Sequence, residues 1–156
     1  MRKEGTAVYL SLGSNLGNRE RLLIEAVNRL EKEAGSVFAR SSFYETEPWG
    51  FVSEYLFLNA VVGIETELGP FALLEACKRI EHEMGRRQIE GEDYNDRPID
   101  IDLLLYGTDE IKTPRLEVPH PKLHLRRFVL EPLLEIAPQI IHPVLGKTIE
   151  ELLNTI

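Results

Sequence analysis

The chain has 156 residues, and its hydrophobic content of 43% suits a single domain with a sizeable core, which we expect to span residues 1–156. Its net charge of −8 argues against nucleic-acid or anionic-membrane partners, and its one cysteine, Cys77, excludes an internal disulfide and a cysteine metal cluster. No apolar run is long enough to span a membrane and no signal peptide is evident, so we expect a cytoplasmic protein. Nothing in the sequence demands more than a monomer, and we expect one.

The first two thirds of the chain contain six predicted elements. In order they are a strand over residues 6–12, a helix over 19–34, strands over 36–46 and 57–67, a helix from 70 to about 84, and a strand over 97–105. Asn18 is placed to cap the first helix, and Pro70 lies in the first turn of the second. Turn-rich or charged loops are expected at 13–18, 47–51 and 85–96.

The remaining third of the chain has weaker patterns. Short extended pieces are expected over residues 110–119, then a helix over 126–137 that Pro132 perturbs, and a final short helix opened by the capping-box spacing of Thr148 and Glu151. The β-α-β-β-α-β order of the earlier elements predicts an α+β, ferredoxin-like fold, with helices on one face of a mainly antiparallel sheet. Short C-terminal strands and helices would add to this core.

Two carboxylates lie one residue apart where the strand over 97–105 begins. Because strand side chains alternate, Asp100 and Asp102 should share one face, while Ile101 lies on the other. Two like charges entering a core repel each other, and a divalent cation between them would remove that penalty. The pattern is common, however, and taken alone it favours two aspartates at a solvated strand end that bind nothing; the neighbouring residues strengthen the metal interpretation.

The cations of this acidic chain are unevenly placed. Ten of the 18 Lys and Arg residues lie between residues 78 and 127, which suits a small anion such as a phosphate ester. Carboxylates, guanidiniums and imidazoles together suit phosphoryl transfer, which depends mainly on metal ions and positioning. We assign Lys112 and Arg115 to the solvated surface. His120, between two prolines, is equally compatible with a surface turn or a phosphate contact.

One polar side chain interrupts an apolar strand. Asn59 precedes Ala60-Val61-Val62, and an amide near a sheet interior needs hydrogen-bonding partners. A flat heterocycle is one possible partner and backbone is the other. The loop over 13–18 lacks the Lys-Ser/Thr ending of a P-loop, so a structural turn is the better interpretation.

Seven motifs in order resemble the 6-hydroxymethyl-7,8-dihydropterin pyrophosphokinase family of folate biosynthesis. They are LGSNLG at 12–17, SSFYET at 41–46 with Pro48 after it, FLNA at 57–60, RPIDID at 97–102, VPHP at 118–121, RRFVL at 126–130 and EIAP at 135–138. In this family Arg-Trp-Gly-Pro-Arg usually precedes the aspartates, whereas this chain has Asp93-Tyr94-Asn95-Asp96-Arg97, with Tyr94 in the tryptophan position.

The resemblance implies transfer of the ATP β,γ-pyrophosphoryl group to the pterin hydroxymethyl group, releasing AMP. It also implies roles for particular residues. Asp100 and Asp102 would hold two Mg²⁺ ions, and Arg86 and Arg97 would act with them as catalytic residues. The positions expected to contact ATP are Lys78, Glu81, Arg87, Tyr94, His120 and Arg126. Those expected to bind the pterin are Thr46, Trp49, Phe57, Asn59 and Phe128.

Two other classes of function stay open at this point. A ferredoxin-like core also hosts non-catalytic ligand-binding or regulatory domains, in which Asp100 and Asp102 would be solvated strand-end charges. Nucleic-acid binding is disfavoured by the acidic balance and by the lack of a basic, aromatic-studded sheet face.

Overall fold

A computed structural model of the chain describes residues 5–48, 53–85 and 98–156. Its strands are β1 (Thr6–Ser14), β2 (Ser36–Arg40), β3 (Tyr44–Thr46), β4 (Phe57–Thr66), β5 (Asp100–Tyr106), β6 (Ile111–Lys112) and β7 (Glu117–Val118). Its α-helices are α1 (Arg19–Glu33), α2 (Pro70–Glu83), α3 (Arg127–Ile136) and α4 (Ile149–Asn154), and a short 3₁₀ helix covers Leu123–Leu125. These elements agree with the predicted order, with ends that differ by a few residues.

The main sheet is antiparallel at every pairing among the described residues. Its strands lie in the order β2-β4-β1-β5, and β3 also pairs with β4. Strands β1 and β4 pair along the whole of β1, from Thr6 opposite Thr66 to Ser14 opposite Leu58. The short strands β6 and β7 form a separate two-stranded sheet. The α+β prediction with a mainly antiparallel sheet is therefore confirmed.

The single strand predicted over residues 36–46 is two strands in the structure. Ser41 lies in the break, where its hydroxyl oxygen accepts a hydrogen bond from the Val61 amide at 2.9 Å. Its own amide donates to the Val61 carbonyl at 2.9 Å. A side chain thus takes over one bond of the strand ladder, so the chain leaves regular pairing at Ser41 and resumes it at Tyr44.

Helices cover both faces of the main sheet, whereas the sequence predicted helices on one. Helices α1 and α2 pack on the first face through Leu23, Leu30, Leu73 and Ile80, all fully buried. The opposite face, which includes Val61 of β4, is covered by α3 and α4. The prediction of helices on one face was wrong because the sequence pattern after residue 107 does not show where α3 and α4 pack.

Local start signals for the helices are confirmed. The Asn18 side chain accepts a hydrogen bond from the Arg21 amide at 3.2 Å, and Pro70 opens α2. Thr148 and Glu151 form the reciprocal capping box at the start of α4. None of the described helices has the length and apolar character that crossing a membrane requires.

Candidate active site

The paired aspartates lie at the first residues of β5, an outer strand of the main sheet. Asp100 pairs with Gly13 and Asp102 with Ser11, so both carboxylates project from the same face. Ile101, between them, points to the other face and is buried in the core beneath α1 and α2. Alternate strand residues are about 7 Å apart, so the two carboxylates can converge on one group of ions.

Glu81 of α2 fixes the backbone between the aspartates. Its Oε2 accepts a hydrogen bond from the Ile101 amide at 2.6 Å, and the side chain is buried. An outer strand has amides that no neighbouring strand can bond, and a carboxylate is a strong acceptor for one of them. Glu81 therefore holds β5 against α2 at the point where the aspartates emerge.

A cleft of about 510 Å³ opens beside these aspartates. Its charged and imidazole lining comes from α2, β5 and the segments around β7 and the 3₁₀ helix: Lys78, Glu81, Asp100, Asp102, Arg115, Glu117, His120, Lys122 and Arg126. Four cations thus face a space that also contains acidic side chains. Such a lining suits a phosphate chain whose charge is shared between metal ions and cations.

His120 is a neutral hydrogen-bonding group in this cleft at neutral pH. Burial, assisted by the nearby Arg126 charge, lowers the pKa of His120 to about 4. Its Nδ1 accepts a hydrogen bond from the Lys122 amide at 3.1 Å. In a neutral imidazole the proton must then reside on Nε2, which leaves a donor suited to a phosphate oxygen.

A second cluster lies on the same sheet face, at the hairpin of β3 and β4. Asn59 is buried, and its Nδ2 donates to Thr46 Oγ1 at 2.6 Å and to the Tyr44 carbonyl at 3.4 Å. Its Oδ1 therefore points the other way, over Gly13, where an added Cβ would lie 3.1 Å from it. Phe57 borders the same place, since that Cβ would also lie 3.4 Å from its ring.

The two clusters face each other across one strand. Asn59 pairs with Gly13, and Gly13 pairs with Asp100 on its other side. Three residues side by side in adjacent strands span about 10 Å from the first to the third. One small molecule lying over Gly13 can therefore contact the amide of Asn59 and reach the carboxylate of Asp100.

Two side chains at the start of α3, Arg126 and Phe128, lie beside the aspartate cleft. Arg126 is buried and lines the aspartate cleft. Its guanidinium carbon lies 5.5 Å from the ring centroid of Phe128, within the range of a cation–π contact. Phe128 is half-buried and packs against the buried cluster on this side of the sheet.

The donor set around Asp100 and Asp102 fits Mg²⁺ bound together with a phosphate ligand. Among residues 5–48, 53–85 and 98–156, no three His, Cys, Asp or Glu side chains are grouped as a complete metal cage. Mg²⁺ commonly takes one or two carboxylates and completes its octahedron with water and substrate phosphates. A pair of carboxylates facing a cation-lined cleft is therefore compatible with magnesium and nucleotide binding together.

The structure groups most of the described site residues that the sequence predicted. Those around the cleft are Lys78, Glu81, Asp100, Asp102, His120 and Arg126, and those of the second cluster are Thr46, Phe57 and Asn59. Phe128, near the start of α3, contacts Arg126 of the cleft. Five predicted residues lie outside the described residues: Trp49, Arg86, Arg87, Tyr94 and Arg97.

Two features of the site become evident only in the structure. Arg115 lies at the rim of the cleft, where it pairs with Glu75 and stacks 5.3 Å from the Phe71 ring centroid. Its side chain is 58% exposed, which agrees with the predicted surface position, but the sequence does not show that this position borders the cleft. The sequence predicts a turn over residues 13–18, but Gly13 is a strand residue between Asn59 and Asp100.

The fold and the site together define an α+β protein with a cleft suited to a metal-bound phosphate ligand beside an amide and aromatic cluster. The family model for 7,8-dihydro-6-hydroxymethylpterin-pyrophosphokinase (HPPK) matches residues 9–138. The chain belongs to this family.

Relatives named 2-amino-4-hydroxy-6-hydroxymethyldihydropteridine pyrophosphokinase agree with this assignment. One from Porphyromonas gingivalis is 50% identical over 138 residues, covering 87% of this chain and 93% of the relative. One from Aquifex aeolicus is 44% identical over 144 residues, covering 92% and 88% of the two chains. The Plasmodium falciparum HPPK-DHPS crystal structure matches the fold with a TM-score of 0.76 at 19% identity, over 99% of this chain and 45% of that longer one. The chain thus spans less than half of that longer protein.

Proposed function

We propose that this chain catalyses the reaction of its family in folate biosynthesis. It transfers the β,γ-pyrophosphoryl group of ATP to the hydroxymethyl group of 6-hydroxymethyl-7,8-dihydropterin and releases AMP. The hydroxyl oxygen forms a bond to the β-phosphorus, the bond from that phosphorus to the α,β-bridging oxygen breaks, and the hydroxyl proton is released. The row from Asn59 through Gly13 to Asp100 carries this proposal, because it sets a heterocycle-binding amide about 10 Å from a metal-binding carboxylate.

The aspartate cleft is the proposed nucleotide site. Lys78 and Arg126 line it and would neutralise phosphate oxygens, and the Nε2–H group of His120 would donate to another. Glu81 would act chiefly by fixing the β5 backbone, because its carboxylate bonds the Ile101 amide. Its predicted contact with ATP remains a prediction from the sequence.

Two Mg²⁺ ions are proposed at Asp100 and Asp102. Bound there with the triphosphate, they would withdraw charge from the phosphate oxygens and lower the pKa of the attacking hydroxyl. The chain's own contribution is placement: antiparallel pairing with β1 orients both carboxylates to one face, and Glu81 fixes the backbone between them.

The hairpin cluster is the proposed pterin site. Asn59 Oδ1 is directed over Gly13 and would accept hydrogen bonds from ring N–H groups, while Thr46 holds the amide in that orientation. Phe57 and Phe128 would cover the two faces of the ring by stacking. A pterin bound over Gly13 would then direct its hydroxymethyl group toward Asp100.

Several finer points belong to the proposal as well. Arg86 and Arg97 would stabilise the transferring group, with Arg87 and Tyr94 at ATP and Trp49 at the pterin, as the sequence predicts. The sheet order β2-β4-β1-β5, with β3 as a continuation of β2, supports a ferredoxin-like core. We also propose one domain over residues 1–156 that works as a cytoplasmic monomer.

The experiment that tests the function is product analysis. The purified chain is incubated with ATP, Mg²⁺ and 6-hydroxymethyl-7,8-dihydropterin, and nucleotides and pterins are separated by chromatography. AMP and pterin diphosphate in equal amounts are expected. ADP would indicate ordinary kinase chemistry, and the absence of pterin-dependent nucleotide turnover would favour a non-catalytic binding domain.

A further inference from the structure

Glu135 of α3 joins the helix to the segment around β3 through a compact set of hydrogen bonds. Both of its carboxylate oxygens lie 3.0 Å from the Ser42 amide nitrogen. Oε2 also accepts from the Ser42 hydroxyl at 2.9 Å, and Oε1 accepts from the Tyr44 hydroxyl at 2.7 Å. One side chain thus bonds three donors that lie more than 90 residues earlier in the sequence.

The charge states of this cluster favour these bonds at neutral pH. Burial raises the pKa of Glu135, but hydrogen bonds from Tyr44 and Ser42 outweigh it and hold this pKa below its ordinary value. The same contact with Glu135, together with burial, raises the pKa of Tyr44 to about 12. The carboxylate therefore remains an acceptor and the phenol remains a donor across the physiological range.

The Glu135 cluster is connected to two sides of the proposed pterin site, which we call its walls: Asn59 on β4 and Phe128 on α3. Tyr44 pairs with Asn59 across β3 and β4, and its carbonyl accepts from Asn59 Nδ2 at 3.4 Å. On the helix, Phe128 lies seven residues before Glu135, which places both residues on the same side of α3 about 10 Å apart along its axis. Glu135 therefore links α3, which carries Phe128, directly to the segment of β3, which carries the Tyr44 carbonyl that bonds Asn59.

We propose that Glu135 is a positioning residue that sets the distance between Phe128 and the Asn59 wall and thereby determines pterin affinity. This inference rests on the proposed function. Glu135 itself is exposed, and it would not touch the substrate. It acts by holding α3 over β3, so that the two walls are in place before the pterin arrives and less ordering is required on binding.

The test compares steady-state kinetics of the wild type with those of Glu135→Gln and Glu135→Ala. We expect the KM for the pterin to rise on the order of 5-fold for Gln and 10-fold for Ala. This is less than the full loss of hydrogen bonds to a charged group, because Glu135 acts on the site indirectly. The KM for ATP and kcat at saturating pterin should stay within about twofold of the wild-type values, since the cleft is lined by α2, β5 and the segments around β7 and the 3₁₀ helix, and only Arg126 of that lining adjoins α3. A residue that only stabilised the fold would lower the melting temperature without separating the two KM values.

Two further variants make the outcome decisive. Glu131→Gln makes the same change of charge on α3, and it also removes a charge that acts on Tyr44, but it leaves the hydrogen bonds of Glu135 in place. Its pterin KM should therefore remain that of the wild type. Tyr44→Phe should raise the pterin KM of the wild type but should not raise it further in the Glu135→Ala variant. If Glu135→Ala does not fold, the pterin KM of Tyr44→Phe alone tests whether the bond between Tyr44 and Glu135 affects pterin binding.

Three outcomes would overturn the inference: an unchanged pterin KM in the Glu135 variants, an equal rise in both KM values, or an equal effect from Glu131→Gln. If the wild type itself makes no AMP, the proposed function fails first, and the inference fails with it.

Discussion

Replacing Gly13 with alanine tests whether the pterin lies over the strand between Asn59 and Asp100. Gly13 has no positive φ angle and lies within β1, so the backbone does not require glycine there. An added Cβ would meet Asn59 Oδ1 at 3.1 Å and the Phe57 ring at 3.4 Å. These are the two groups that we propose contact the pterin, and the new methyl group would also occupy the floor on which the ring rests.

The expected effects on stability and on binding differ in sign. Alanine in a strand is favoured over glycine by about 0.5–1 kcal/mol, which offsets the mild crowding at Asn59. Overpacking a fitted site costs typically about 1–3 kcal/mol, which corresponds to a pterin KM raised on the order of 5- to 150-fold. Gly13→Ala should therefore fold as well as the wild type and bind the pterin far more weakly, with the KM for ATP almost unchanged.

The assay is initial-rate AMP formation with each substrate varied in turn, alongside thermal unfolding. Gly69→Ala serves as the matched control, because an added Cβ there meets nothing within 4 Å. A Gly13→Ala enzyme with wild-type pterin KM would show that the substrate does not lie over β1, and the proposed orientation would have to be abandoned.

Two further expectations follow from the same geometry. Asn59→Leu keeps the side-chain size but removes the amide, so the pterin KM should rise on the order of 10- to 100-fold in the AMP assay, as for a lost hydrogen bond in a buried site; an unchanged KM would remove Asn59 from the pterin site. His120, whose pKa is lowered from 6.5 to about 4, should make the free enzyme less stable as pH falls from 6.5 to 4, because the unfolded chain takes up the proton first. The free energy of unfolding, measured by chemical denaturation, should fall by about 3 kcal/mol over this range, and His120→Gln should not show this contribution. Identical pH profiles of stability for the two proteins would contradict the lowered pKa of His120.

Features written in local sequence were predictable. The helix starts at Asn18 and Thr148 depend on residues three positions away, and the shared face of Asp100 and Asp102 depends only on strand alternation. The antiparallel core followed from the order of its elements. The family motifs supplied the grouping of distant residues into two clusters, which no periodicity could give.

Features that depend on packing between distant segments were not predictable from pattern. The break at Ser41 arises because a hydroxyl meets a particular amide of β4. The position of Arg115 at the cleft rim depends on how the segment before β7 folds against α2. Glu135 likewise looks like an ordinary exposed helical acid until the structure brings it to Ser42 and Tyr44.

The central claim is that Asp100 and Asp102 bind magnesium together with the nucleotide, and calorimetric titration of a non-hydrolysable ATP analogue tests it most directly. Titrations with and without Mg²⁺ are compared for the wild type and for Asp102→Asn, which preserves the shape of the side chain. The account predicts that Mg²⁺ strengthens wild-type binding at least on the order of 10-fold, or about 1.4 kcal/mol, and that the variant loses this gain while unfolding at the same temperature. An equal magnesium-dependent gain in the variant would contradict it.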